Sequence, residues 1–387
     1  MSSWIAKPLA DVCERITDGS HRTPPFTEEG YPFATVAHVD ADGTIDLASC
    51  KRISSSDFEE LKRNDCRPLP GDVLFSKDGT VGKVAVIDFD TDFIVLSSLA
   101  ILRPKRDVLN QSFLAYALRS EPVLGEAINR KSGSAIRRIV LRDLSQVSIP
   151  IPPLAEQGRI VRLVDEADEL RKLRAQADRR TAALIPALFH EMFGDPAGNP
   201  MRWPKANLGE LCELVNGVPF KPSDWDGSGL PIVRIQNLND SAKSFNYTSK
   251  KLAEKFRVRP GDILLSWSGT PGTSFGCFNW NGPEGWLNQH IFNVRLKTQV
   301  DGEFFIHSVN ARLGELIAKA HGGVGLQHVT KGTLNEVEML VPSLVLQKEF
   351  AARVSEIRAM QAEQAASRCR LDDLFQSMLH RAFQGEL

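Results

Sequence analysis

The triplet Glu60-Leu61-Lys62 is the part of this chain that comes nearest to a catalytic constellation, since a carboxylate beside a lysine closes many nuclease sites. Its usual companion, a Pro-Asp dipeptide, occurs nowhere in the sequence. Gly79-Thr80-Val81-Gly82-Lys83 has the glycines of a phosphate cradle, but it lacks the spacing and the Ser/Thr that would touch Mg²⁺. Gly323-Val324-Gly325 is not followed by the third glycine of a dinucleotide fingerprint, and the eight histidines form neither HExxH nor a Cys/His zinc ladder. No Asn/Asp-Pro-Pro-aromatic tetrapeptide, the mark of amino-methyltransferases, is present. The chain reads as non-catalytic, with no metal and no cofactor of its own.

What remains is chemistry of contact. The segment Arg130 to Arg142 holds Arg130, Lys131, Arg137, Arg138 and Arg142 with no acid, and Lys243 to Arg259 opposes six basic residues to Glu254 alone. Two readings stand: a solvated, salt-bridged face, or a local site of phosphate neutralisation in a near-neutral protein. The loops Ser76 to Gly82 (SKDGTVG) and Ser266 to Gly272 (SWSGTPG) share Gly and Thr but differ at Lys77/Trp267 and Asp78/Ser268. A common frame with exchanged side chains suits a reader of base edges; ordinary divergence of a hairpin explains it equally well.

Those segments sit in a chain that is written twice. A shift of 190 residues lays Val147 to Glu166 over Val337 to Glu356, Pro70-Gly71-Asp72 over Pro260-Gly261-Asp262, and Gly79-Thr80 over Gly269-Thr270. Nearer the start the shift is 199, pairing Trp4 with Trp203 and Leu9…Cys13 with Leu208…Cys212. Units this long are duplicated domains rather than solenoid repeats. Each opens as a mixed α+β stretch. Val73–Phe75, Val84–Ile87, Ile263–Leu265 and Phe292–Leu296 are predicted strands, and Phe113–Leu118 and Phe304–Val309 short helices.

Each copy ends in a dense, charged stretch with apolar residues at steps of three and four. Ile160, Val164, Ala167, Leu170, Leu184 and Leu188 recur 190 residues on as Phe350, Val354, Ile357, Met360, Leu374 and Met378, with Leu371 in the same row. The mean step is close to 3.5, a coiled-coil seam. Arg174 and Gln364 interrupt the two rows at the same place, so the helices are expected to pair with each other. Pro186, absent from the second copy (Gln376), is expected to kink or end the first helix. A helix of about 38 residues would be roughly 55–60 Å long. The predicted organisation is a first domain over 1–152, a long helix over 153–192, a linker over 193–202, a second domain over 203–342 and a second long helix over 343–387.

With 42% hydrophobic and 25% charged residues and a formal charge of −1, the composition is that of a soluble globular protein. The six cysteines form no CxxC, and they read as reduced thiols of a cytoplasmic protein with Cys13 and Cys212 in the core. No apolar run is long enough to span a bilayer.

Taken together, DGSHRTPPFTEEGYPF (Asp18 to Phe33), NGVPFKPSD…LPIVRIQNL (Asn216 to Leu238), PGDVLFSKDGTVG, PGDILLSWSGTPG, Pro152-Pro153-Leu154-Ala155-Glu156-Gln157 and the terminal FQGEL make the chain similar, over nearly its full length, to the specificity subunits of type I restriction–modification systems. Leu346 departs from the pattern where the first copy has Glu156, which implies a less typical contact for the second helix. The resemblance implies two target-recognition domains, each reading one half of a bipartite asymmetric DNA site. It implies long helices that pair as an antiparallel coiled coil, set the spacer and dock two modification subunits. S-adenosylmethionine and ATP would then be bound by the modification and restriction subunits. By the same analogy, DNA contacts are expected at His21, Arg22, Lys77, Asp78, Lys131, Arg137 and Arg138. In the second copy they are expected at Lys221, Gln236, Asn237, Ser266, Ser268, Gln327, His328 and Lys331. Two other classes fit less: a coiled-coil scaffold with protein-binding arms leaves the basic segments unexplained, and a fused restriction–methylation enzyme needs motifs that are missing.

Overall fold

The computed structural model describes residues 4–40, 42–130, 138–239, 243–269, 275–297, 300–318, 327–328 and 330–386, with backbone alone for 239, 268–269, 316–318 and 327–328. The chain divides into two units. One comprises Met1–Ala175 with Ala366–Leu387, the other Gln176–Ala365. Both boundaries fall inside the long helices, so each unit owns one α+β domain and a part of each helix.

Within the first unit, Ile5–Pro8 pairs antiparallel with Ser148–Ile151, so the domain closes its first strand on its last just before the long helix begins. An antiparallel sheet follows in the order Cys13–Asp18, Leu99–Pro104, Val73–Ser76, Val84–Val86. A second sheet has the order Phe26–Thr27, Lys51–Ile53, Tyr31–Ala34, Ile94–Val95, with one parallel pair, Phe33 opposite Ile94. The second unit repeats all three. Lys205–Asn207 pairs with Glu338–Leu340, and an antiparallel sheet runs Cys212–Asn216, Ile291–Leu296, Ile263–Ser266, Gly276–Asn279. A mixed sheet has Ile232 opposite Trp286 as its parallel pair. This is a duplicated α+β domain, with the predicted strands present and the short helices at Gln111–Arg119 and Gly302–Ala311. Cys13 and Cys212 are buried at matched positions, and burial pushes both thiols up to about 12.

Glycine is required where two strands cross. A Cβ at Gly19 would run into the Val95 carbonyl, and one at Gly217 into that of Asn288. Ser20 and Val218, one residue on, make isolated parallel bridges to Leu96 and Asn288. The Asp18-Gly19 and Asn216-Gly217 dipeptides are therefore the same close crossing. The Pro-Gly-Asp turns are likewise structural. Gly71 and Gly261 sit at φ of 99° and 93°, where a side chain is strained. The buried Asp72 carboxylate accepts from Leu69 N and from the Arg103 guanidinium, all at 2.8 Å. Asp262 accepts from Arg259 N and Asn293 Nδ2 at 2.9 Å.

The first long helix runs Leu154–Ala182, breaks at Ala183 and resumes as Leu184–Phe193. Pro186 has no N–H to offer the Ala182 carbonyl, and its ring crowds that position. The second, with Gln376 in place of the proline, is unbroken over Leu344–Gln384. Each begins with a buried glutamine. Gln157 donates through Nε2 to the Pro152 and Val108 carbonyls, while its Oε1 accepts from Asn110 N at 2.8 Å. Gln347 donates to the Pro342 carbonyl and accepts from Asp301 N at 2.9 Å. Asn110 and Asp301 are themselves the N-caps of the domain helices. The glutamine thus locks the start of each long helix to the α+β domain before it. Glu156 merely pairs with Arg159 on the surface, so Leu346 takes its place without disturbing this lock.

Inside each unit the two helical segments run antiparallel. In the first, Arg171 Nε meets Asp372 Oδ1 at 2.7 Å, and Phe113 packs on Phe383 with ring centroids 5.0 Å apart. In the second, Gln361 Nε2 donates to the Thr181 carbonyl, and Phe189 and Phe193 enclose Phe304 and Phe350. Such ring pairs add about 0.5–1.5 kcal/mol each beyond the area they bury. The predicted seam holds at Ile160, Val164, Ala167, Phe350 and Val354, which are buried, and partly at Leu188, Ile357, Leu371 and Met378. It needs correction at Leu170, Leu184, Met360 and Leu374, which are exposed. The buried row near each C-terminus is instead Ile185, Phe189 and Phe193, and Phe375, Leu379 and Phe383. Those turns pack on the domain helix as well as on the other long helix, so the buried stripe is wider and rotated by one residue from a pure heptad seam.

Candidate nucleic-acid interface

The loop after each Pro-Gly-Asp strand is held by a segment far along the chain. In the first domain Lys77 donates its N–H to the Ser98 carbonyl and accepts at its own carbonyl from Ile139 N, both at 2.9 Å. In the second, Trp267 N donates to the His290 carbonyl, and Ser268 and Gly269 pair antiparallel with His328 and Gln327. The segment before each long helix, basic in the first copy, is thereby tied to the tip of the central hairpin. Two regions read separately as contact candidates form one ribbon in each unit.

The predicted residues fall into two groups. Arg138 is exposed, next to Ile139 on the ribbon; Lys131 and Arg137 lie outside the described residues. His21 is exposed with Nε2 3.2 Å from Asp18 Oδ1, and Lys221 is exposed with its backbone N–H donated to Asp224. Gln236 is exposed and donates to the Ser244 carbonyl at 3.3 Å. Arg22 is paired with Asp57 and Glu60 at 3.4 and 2.7 Å. Asp78 is half-buried and accepts from Gly79 N at 2.7 Å. Lys331 donates to the Leu214 carbonyl at 2.7 Å. Ser268, Gln327 and His328 are placed by their backbone on the second ribbon.

Three other predicted residues are buried. The Lys77 ammonium is buried against Asp18 Oδ2 at 3.0 Å, with 9% and 11% of the two side chains exposed. Asn237 is buried, accepting from Arg234 N and donating to the Lys243 carbonyl. Ser266 is buried at the position of Ser76, whose Oγ donates to the Thr80 carbonyl and accepts from Lys83 N, but the Ser266 Oγ has no hydrogen-bond partner among the described residues. Lys77 and Asn237 are thus engaged with partners inside the domain, since leaving a buried polar group unpaired costs about 1–3 kcal/mol. Asp18, the partner that withdraws Lys77, was missed in the sequence. Its only signal was alignment with Asn216 at the Gly crossing.

Among the described residues no group of three or more His, Cys, Asp or Glu is placed to hold a metal ion, and no helix is long and apolar enough to cross a membrane. The model of the type I restriction modification DNA specificity domain matches residues 1–178 and again 200–365, one match for each copy. The chain belongs to that family. It is a type I specificity subunit, and DNA sequence recognition is its task. Among relatives of this family, a putative type I restriction enzyme MjaX specificity subunit of Methanocaldococcus jannaschii is 23% identical, over 92% of this chain and 86% of its own. The type I restriction enzyme EcoKI specificity subunit of Escherichia coli is 24% identical, over 99% and 89%. Two solved chains share the specificity-subunit fold. One, described with the assembly and conformational transition of the type I R-M system, is 20% identical, with TM-score 0.66 over 100% of this chain and 99% of that one. The other, the S subunit from M. genitalium, is 16% identical, with TM-score 0.52 over 98% and 96%.

Proposed function

We propose that each recognition domain reads one half of a bipartite, asymmetric DNA site, and that the paired long helices set the length of the unread spacer. The helices also dock two modification subunits. These bind S-adenosylmethionine and methylate adenine, and ATP-driven restriction subunits complete the assembly. This chain supplies placement, not chemistry.

The observation that carries the reading is the pair of ribbons. The same backbone frame presents Asp78 and Arg138 in one unit and Ser268 and His328 in the other. A repeated frame with unequal tips suits two unlike half-sites, because base-edge contacts depend on the side chain placed at a fixed position. Exposed leucines support the docking role: Leu170 and Leu173 lie on the first long helix at 51% and 58% exposure. Isolated apolar residues need no partner, but neighbouring ones on a helix face invite one.

Insertion of one heptad between Ala175 and Asp178 tests the reading, with methylated bases mapped by sequencing in cells that carry the assembled system. The expected motif keeps both half-sites and has a longer spacer. Altered half-sites would refute the ruler role.

A further inference from the structure

A polar cup of about 300 Å³ opens on the second domain beside its ribbon, lined by Trp225, Arg234, Gln236, Asn288, Gln289 and His290. Its backbone is a copy. The parallel pairs Ile232–Trp286 and Phe33–Ile94, and the bridges Val218–Asn288 and Ser20–Leu96, set the two domains in register. Arg234 N donates to Asn237 Oδ1 where Thr35 N donates to His38 Nδ1. Trp267 N donates to the His290 carbonyl where Lys77 N donates to that of Ser98. In this register Arg234, Gln236, Gln289 and His290 occupy the places of Thr35, Ala37, Ser97 and Ser98. The frame is kept at every hydrogen bond named, while these four lining side chains are larger and more polar than their counterparts.

The cup's chemistry separates base edges from phosphates. Phosphate positions draw lysine and arginine, and several of them. Here one guanidinium stands among three primary amides and an imidazole. Arg234 is held in place, with Nη1 donating to Asn246 Oδ1 at 2.9 Å and its guanidinium over the Trp225 ring at 5.6 Å. Gln289 Nε2 and His290 Nε2 lie 3.1 Å apart, so those two side chains brace each other. A fixed guanidinium fork matches guanine O6 and N7, and a primary amide matches adenine N6 and N7.

Resting on the recognition role proposed above, we infer that this cup is the base-reading site of the second domain and takes the major-groove edge of a purine. The first domain, with small residues in the same frame, reads a different base pair there or none.

The test uses the chain assembled with its modification subunits, acting on a DNA library randomised across both half-sites, with methylated bases mapped by sequencing. Gln236→Ala, and the double change Gln289→Ser with His290→Ser, place in the second domain the residues its first domain already carries in that frame. The expected result is a loss of discrimination of roughly 5- to 150-fold at one or two base pairs of the second half-site, with the first half-site unchanged. An unchanged second half-site overturns the proposal, and so does a uniform fall in methylation with no change in motif. A wild-type chain that yields no bipartite motif would instead overturn the recognition reading beneath it.

Discussion

Ser268 and His328 are cross-strand partners, although one lies just after the Pro260-Gly261-Asp262 turn and the other just before the second long helix. In the first domain the Lys77 carbonyl and Ile139 N–H make the corresponding contact at 2.9 Å. The segment that carries basic charge in the first copy is therefore attached to the central hairpin in both.

On the proposed reading, Arg138, exposed on that ribbon, neutralises a phosphate. Replacing it together with Arg137 by Ala should weaken DNA binding by the assembled complex, and the slope of log K against log salt should fall by about one for each phosphate that is no longer neutralised. Titrations at several salt concentrations check this; an unchanged slope would leave the segment as a solvated face.

Lys77 should act on stability before it acts on DNA. Lys77→Met leaves Asp18 buried without its cation, which costs about 3–5 kcal/mol when a buried pair is broken from one side. Combining it with Asp18→Leu should recover much of that loss. Denaturant melts of the four proteins in the cycle measure both quantities, and additive effects would show that the two groups do not depend on each other.

The glutamine locks give a paired expectation. Gln157→Leu and Gln347→Leu each strand the N–H of an N-cap residue, Asn110 or Asp301, so each should destabilise its own unit by about 1–3 kcal/mol. Hydrogen exchange resolved by peptide should show faster opening at the start of the affected long helix and of the domain helix it holds, with the other unit unaffected.

His307 gives the second unit a pH dependence. Burial depresses its imidazole below the ordinary 6.5, and Arg358 adds to that depression while Glu303 opposes it. The Phe350 ring covers its other side, 5.4 Å away. A histidine with a depressed folded pKa takes up protons more readily when unfolded. Stability is thus full above pH ~6.5 and falls as the pH drops below it, until the folded form is protonated too. His307→Tyr, which places there the residue found at the matching Tyr116, should flatten the stability profile between about pH 5 and 7. Denaturant midpoints across that range provide the check.

How much of this was legible in the residues varies with the range of the interaction. The Pro-Gly-Asp turns, the domain helices and the break before Pro186 follow from local rules of φ, capping and missing donors. The seam was legible at Ile160 and Val164, yet wrong at Leu184 and Leu374, because heptad periodicity assumes a single packing partner and those turns have two. Lys77 illustrates the same limit for the interface. A lysine in a glycine-rich loop looks available until Asp18, brought in by the Gly19 crossing, takes up its charge.

By itself the sequence determined the duplication, the α+β character of each copy and the two long helices, since repeat register, turn chemistry and 3.5-residue periodicity are properties of neighbouring residues. Only the tertiary structure decided which polar side chains hold the frame and which face outward. That choice depends on where a partner's charge or carbonyl lies, and partners such as Asp18 for Lys77, or Asn110 for Gln157, come from strands and caps that are distant in the chain and meet only when it folds.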